Sequence, residues 1–174
     1  MDPAETRQEL LTQAYNLGFE YEARFRGCAQ CVVAAIQDTL GVRDDQVFKA
    51  ATGLAGGGAL TGAGACGGYA GAVMVLGQLL GRERSEFADP EGVRLRTFAL
   101  AQELADRFVA EFGGMTCREV QSRVLGRSFN LRDPEDFARF DAAGAHTDRC
   151  PHVVGTAARL AVEVILAAGL APAG

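Results

Sequence analysis

The chain has 174 residues, 48% apolar and 22% charged, with a formal net charge of −5 and a pI near 5.1. These values fit one globular domain over 1–174 with a substantial core and argue against wholesale disorder. They also argue against a nucleic-acid or anionic-membrane surface, either of which calls for a basic footprint, so neither partner is expected.

The opening stretch "MDPAETRQELL" has no basic start and no apolar run of secretory length, so a cytoplasmic protein is expected. Leu10, Ala14, Leu17, Tyr21 and Phe25 step by three and four, which predicts a helix with one apolar face. A second helix starts near Cys28 and runs to Gly41, a C-cap. "DDQVFKAATGL" predicts a short helix with Asp44 as its N-cap. Residues 56–71, "GGGALTGAGACGGYAG", then place eight glycines and one cysteine in sixteen positions. The apolar "GGYAGAVMVLGQLLG" that follows predicts a helix central to the core.

Phe98, Ala101, Ala105, Phe108 and Phe112 repeat the three–four step and predict a further amphipathic helix. "DPE" at 89–91 and again at 133–135 reads as a helix start with proline at the first position. Segment 126–146 predicts a short helix plus loop. The final apolar segment is interrupted by Arg159 and Glu163, too broken for a bilayer span, and reads as a buried core helix. No segment alternates in the manner of a half-buried strand. The expected fold is all-α, a compact multi-helix bundle with a Gly-rich loop leading into a central core helix.

Four of the five cysteines fall at predicted helix starts. Cys28 follows Gly27, Cys66 ends the glycine run, Cys117 follows Thr116 in a T-x-x-E capping box, and Cys150 precedes Pro151. Exposed N–H groups and the positive end of a helix dipole favour an anion there, which predicts depressed thiol pKa values and reactive thiolates, Cys66 above all. Arg118 and Arg149, each beside a cysteine, would add to the effect. Glycines such as Gly64, Gly67 and Gly68 would let the backbone approach sulfur or a cofactor closely. Against this stands the plainer reading, in which free cysteines simply pack.

Other signals point elsewhere. "GAGACG" matches G-x-G-x-x-G but lacks the preceding strand and the acidic residue on a second strand. "CAQC" places Cys31 one helical turn after Cys28; a dithiol there can cycle, and inward packing of Cys31 is the alternative. His152, two residues from Cys150, would bond a thiolate, ligate a metal, or cap a helix end.

On "GCAQCVVAAIQDTLG", "GGGALTGAGACGGYAGAVMVLGQLLG", "FVAEFGGMTCREV" and "RCPHVVGTAARLAVEVIL", roughly residues 20–166, the chain resembles the C-GCAxxG-C-C family of redox-active proteins. The resemblance implies a small helical protein with a redox role, and functional positions at Cys28, Cys66, Cys117 and Cys150. It also implies a redox partner. Gly27 replaces the asparagine common in the family, and Cys31 is an addition to its pattern. Two mechanisms are expected: thiol–disulfide exchange, with Cys31 as a further participant, or ligation of an iron–sulfur cluster by the four family cysteines. The competing expectation is a non-catalytic scaffold or interaction domain with structural cysteines or a structural zinc. The apolar helices would equally serve a homodimer.

Overall fold

The computed structural model describes residues 3–170. These form eight α-helices: α1 (Pro3–Phe25), α2 (Cys28–Leu40), α3 (Asp45–Ala50), α4 (Gly67–Leu80), α5 (Val93–Phe112), α6 (Cys117–Leu125), α7 (Pro134–Ala142) and α8 (Cys150–Ala167). Among the described residues there is no strand, only one isolated antiparallel bridge between Ala65 and Thr116. The fold is all-α.

Local chemistry sets most boundaries. Gly41 closes α2 in the left-handed region, its N–H bonding the Gln37 carbonyl. Asp44 caps α3 through the N–H groups of Gln46 and Val47. Thr116 and Glu119 form a reciprocal capping box on α6. Asp133 caps α7 with Pro134 in its first turn. The other Asp-Pro-Glu does not start its helix. Asp89 adopts φ +55°, and its carboxylate reaches forward to the N–H groups of Val93 and Arg94, so α5 begins at Val93.

α8 is the axis of the bundle and packs against α1, α2, α4 and α5. Its crossing with α1 brings backbone against backbone: a Cβ on Gly18 would lie 2.9 Å from the Gly155 Cα, and one on Gly155 would lie 2.7 Å from the Tyr15 carbonyl oxygen. With its preceding turn, α8 spans Ala145–Ala167, long and apolar enough by composition to cross a membrane, yet 67% of that window is buried within the fold. Its two charged interruptions lie on the wetter side, where Arg107 pairs with Glu163 at 3.2 Å.

The buried face of α5 is Leu104, Phe108 and Phe112, whereas Phe98 is 61% exposed, because the N-terminal half of α5 runs past the core. The main core contains Val32, Ile36, Leu76, Phe108, Val154 and Ile165. A smaller cluster of Phe129, Leu131, Phe140 and Ala145 lies beside it, with Cys117 and Cys150 packed against it.

Candidate functional site

A cavity of about 240 Å³ opens at the seam between the two apolar clusters. Cys28, Cys66, Cys117 and Cys150 all line it, each from a different helix start. No disulfide joins any of the five cysteines. The remaining walls are largely apolar, among them Leu60, Val120, Leu131 and Phe140, with Glu22, Arg26, Gln121 and His146 as the polar exceptions.

Backbone pairing accounts for half of the convergence. The Cys66 N–H donates to the Met115 carbonyl at 2.7 Å, and the Cys117 N–H donates to the Gly64 carbonyl at 3.0 Å, flanking the Ala65–Thr116 bridge. This register puts Cys66 and Cys117 on one face of the bridge, diagonally opposed. The glycine run makes the approach feasible. Residues 56–60 all have positive φ, a left-handed turn that includes the non-glycines Ala59 and Leu60. A Cβ on Gly57 would sit 3.0 Å from the Cys117 Cβ, and one on Gly64 would sit 2.6 Å from the Gly57 carbonyl oxygen.

Gly67 serves the other half. The position its Cβ would take is filled by the Cys28 sulfur, so α2 and α4 start in direct contact. Gly68 differs: a Cβ there would make an ordinary 3.4 Å contact with Ala157, and its contribution is an N–H facing the Cys66 sulfur. Gly64, Gly67 and Gly68 thus shape the backbone around the sulfurs and are not among the cavity-lining residues.

The expected depression of the thiol pKa values is reversed. Burial pushes Cys28 up to about 12, with the Glu22 carboxylate adding to the rise. Burial pushes Cys66 and Cys150 well above the ordinary thiol value and raises Cys117 as well. The N–H groups of Gly56 and Ala29 toward Cys28, and of Gly68 and Tyr69 toward Cys66, act in the lowering direction. Desolvation of a thiolate among apolar walls outweighs them. Mutual repulsion adds to it, since a charge on Cys28 or Cys117 opposes one on Cys66, and all three oppose one on Cys150. Cys150 also lacks a free helix end. A π-helical turn, Ala145–Arg149, precedes it, and its own N–H bonds the Ala145 carbonyl.

Cys31 and His152 lie outside this group. The Cys31 thiol donates to the Arg26 carbonyl at 3.1 Å and also meets the Glu22 carboxylate. His152 turns to Tyr15, with Nδ1 3.0 Å from the phenol oxygen. Arg149 pairs with Asp148 at 3.6 Å, and Arg26 is the arginine at the cavity, bridged to Asp141 at 3.5 Å.

Among the cavity residues that the sequence reading did not assign, three besides Arg26 are polar. Gln121 is 2% exposed; its side-chain nitrogen donates to the Cys117 sulfur at 3.2 Å, and its oxygen accepts from the Phe129 N–H at 2.7 Å. It stands one helical turn after Cys117, a spacing that pointed to it. His146 is held through Nδ1 by Asp141. Glu22 extends the buried stripe Leu11, Ala14, Gly18 by one more four-residue step, a charge on an apolar face.

Among the described residues, no group of three or more His, Cys, Asp or Glu is placed to hold a metal ion. The four-cysteine ligand set therefore needs its sulfurs drawn closer than they stand.

Fold and site together define an all-helical protein in which four thiols from distant parts of the chain share one cavity. The family model described as "Putative redox-active protein (C_GCAxxG_C_C)" matches residues 27–164. The chain belongs to this redox-active family. No curated protein and no solved structure matches it significantly.

Proposed function

We propose that the protein carries reducing equivalents by thiol–disulfide exchange within the cavity, using Cys28, Cys66, Cys117 and Cys150. The observation that carries this reading is the convergence of these four thiols on one cavity. Thiol pairs exchange two electrons with a partner dithiol or disulfide through a mixed disulfide. Neutral thiols and a disulfide both suit an apolar chamber better than thiolates do, so high pKa values stabilise the two resting states and keep the charged intermediate short-lived. Cys31, facing Arg26 and Glu22, has a supporting place beside the reactive set.

The test combines thiol counting with metal analysis on protein purified anaerobically. Mild oxidation should remove two or four titratable thiols, and dithiothreitol should restore them. Five thiols that stay free and slow to react would favour the scaffold reading. Iron or zinc in stoichiometric amount, lost on Cys→Ser substitution at the four positions, would replace exchange with ligation.

A further inference from the structure

Glu22 is the buried group least explained by packing. It is 3% exposed, lies on α1 among apolar neighbours, lines the thiol cavity, and its Oε2 has no hydrogen-bond partner. Burying a carboxyl with an unsatisfied oxygen is costly, and an apolar residue at the same place would avoid the cost. Ion pairing does not explain it either, because Arg26, just past the end of α1, is bridged to Asp141. The groups facing Glu22 are Arg26 in the α1–α2 link, Cys28 and Cys31 on α2, and Cys150 on α8. His146, Cys66 and Cys117 share the same cavity.

We propose that Glu22 is the proton donor and acceptor of the cavity, protonating the Cys28 and Cys150 sulfurs released when a Cys28–Cys150 disulfide is reduced and taking those protons back on oxidation. This rests on the thiol–disulfide reading above. In the reducing direction a partner thiolate attacks one sulfur of the cavity disulfide. The S–S bond breaks, a mixed disulfide forms, and the released cysteine thiolate takes the proton of neutral Glu22. A second partner thiolate then attacks the partner sulfur of the mixed disulfide, giving the partner disulfide and a second cysteine thiolate. Glu22, reprotonated by the proton the partner thiols shed to water, supplies that one too. Two partner thiols are oxidised, one cavity disulfide is reduced to two thiols, and two protons move from partner to cavity.

The energetics run the right way. Burial pushes Glu22 up to about 7, with the Cys31 hydrogen bond and Arg26 pulling back, so both of its forms are populated near neutrality. Cys28 stands near 12, so proton transfer from Glu22 to its thiolate is downhill.

The decisive experiment oxidises the full-length protein until all four cavity thiols are paired, then follows reduction of the Cys28–Cys150 disulfide by dithiothreitol in a stopped-flow instrument between pH 5 and 9. In wild type the rate should climb with the reductant's ionisation and flatten above pH 7, as Glu22 loses its proton. Glu22→Gln should lose that break and react about tenfold or more slowly at pH 6, in line with general acid catalysis. Glu22→Asp should keep the break at reduced rate. Identical pH profiles for wild type and Glu22→Gln would overturn the proposal while leaving exchange intact. A wild-type protein that forms no reducible disulfide would overturn both. Should Glu22→Gln fail to fold, oxidised-minus-reduced infrared spectra of wild type decide the matter: a carboxyl band that changes on reduction is expected, and an unchanged one refutes the role.

Discussion

Cys66 and Cys117, fifty-one positions apart, are neighbours because each lends its own N–H to the other's strand-like flank, Cys66 to Met115 and Cys117 to Gly64. Their positions are diagonal across an antiparallel bridge, where Cβ atoms lie about 7 Å apart or somewhat less, against about 4 Å in a disulfide. A shift of about 3 Å would close the bond, with the backbone pairing holding the two segments in register. The first disulfide formed on mild oxidation should therefore join Cys66 to Cys117. Peptide mapping by mass spectrometry checks this, and a dominant Cys28–Cys31 bond would contradict it.

Glycine at 67 is a steric requirement. With the Cys28 sulfur where a Cβ would go, Gly67→Ala should cost about 2–3 kcal/mol through overpacking and displace Cys28. Gly68→Ala meets only an ordinary contact and removes glycine from a first helical turn, so it should change stability by less than about 1 kcal/mol. Urea denaturation of the pair distinguishes a packed sulfur from general intolerance of side chains in the segment.

Gln121 couples Cys117 to the loop before α7. Gln121→Leu should cost about 1–3 kcal/mol, since the Phe129 N–H is left buried without an acceptor. It should also raise the Cys117 pKa further by removing the donor to sulfur. Gln121→Glu keeps the acceptor for Phe129 and replaces the donor by a charge, so it should slow Cys117 alkylation at a given pH without the full loss of stability. A Cys117 rate equal to wild type in both variants would remove the role of Gln121.

The pH dependence follows from burial. Glu22 has its folded value raised from 4.5 to about 7, so its neutral form contributes stability that is full below about 4.5 and lost as pH rises through 7. The loss is about 3 kcal/mol, and Glu22→Gln should gain on wild type by that amount between pH 4.5 and 8. Cys28, raised from 9.0 to about 12, gives stability that is full below about 9 and lost towards 12. Iodoacetamide labelling of Cys28 should still be rising at pH 10. A half-maximal rate near pH 8.5 would show that the helix ends win over desolvation, contrary to the structure.

The helices were legible because their signals are local. Asp44, Thr116 and Asp133 cap within three residues, Gly41 ends α2, and periodic apolar residues mark α1 and α5. The phase of those faces is set by packing between helices, which no local signal encodes. Phe25 and Phe98 fall on solvent-facing sides, and the buried α1 stripe Leu11, Ala14, Gly18, Glu22 shares only Ala14 with the Leu10–Phe25 series.

By itself the sequence determined the helical class and the four cysteines at or near helix starts, since capping and periodicity act over a turn or two of chain. Tertiary structure alone decided that the four sulfurs share a cavity, that Cys31 lies outside it with its thiol on the Arg26 carbonyl, and that Gly67 yields its side-chain space to Cys28. It also reversed the direction of the thiol pKa values. Desolvation depends on every atom that surrounds a group, and those atoms arrive from α1, α2, α4, α6 and α8 together.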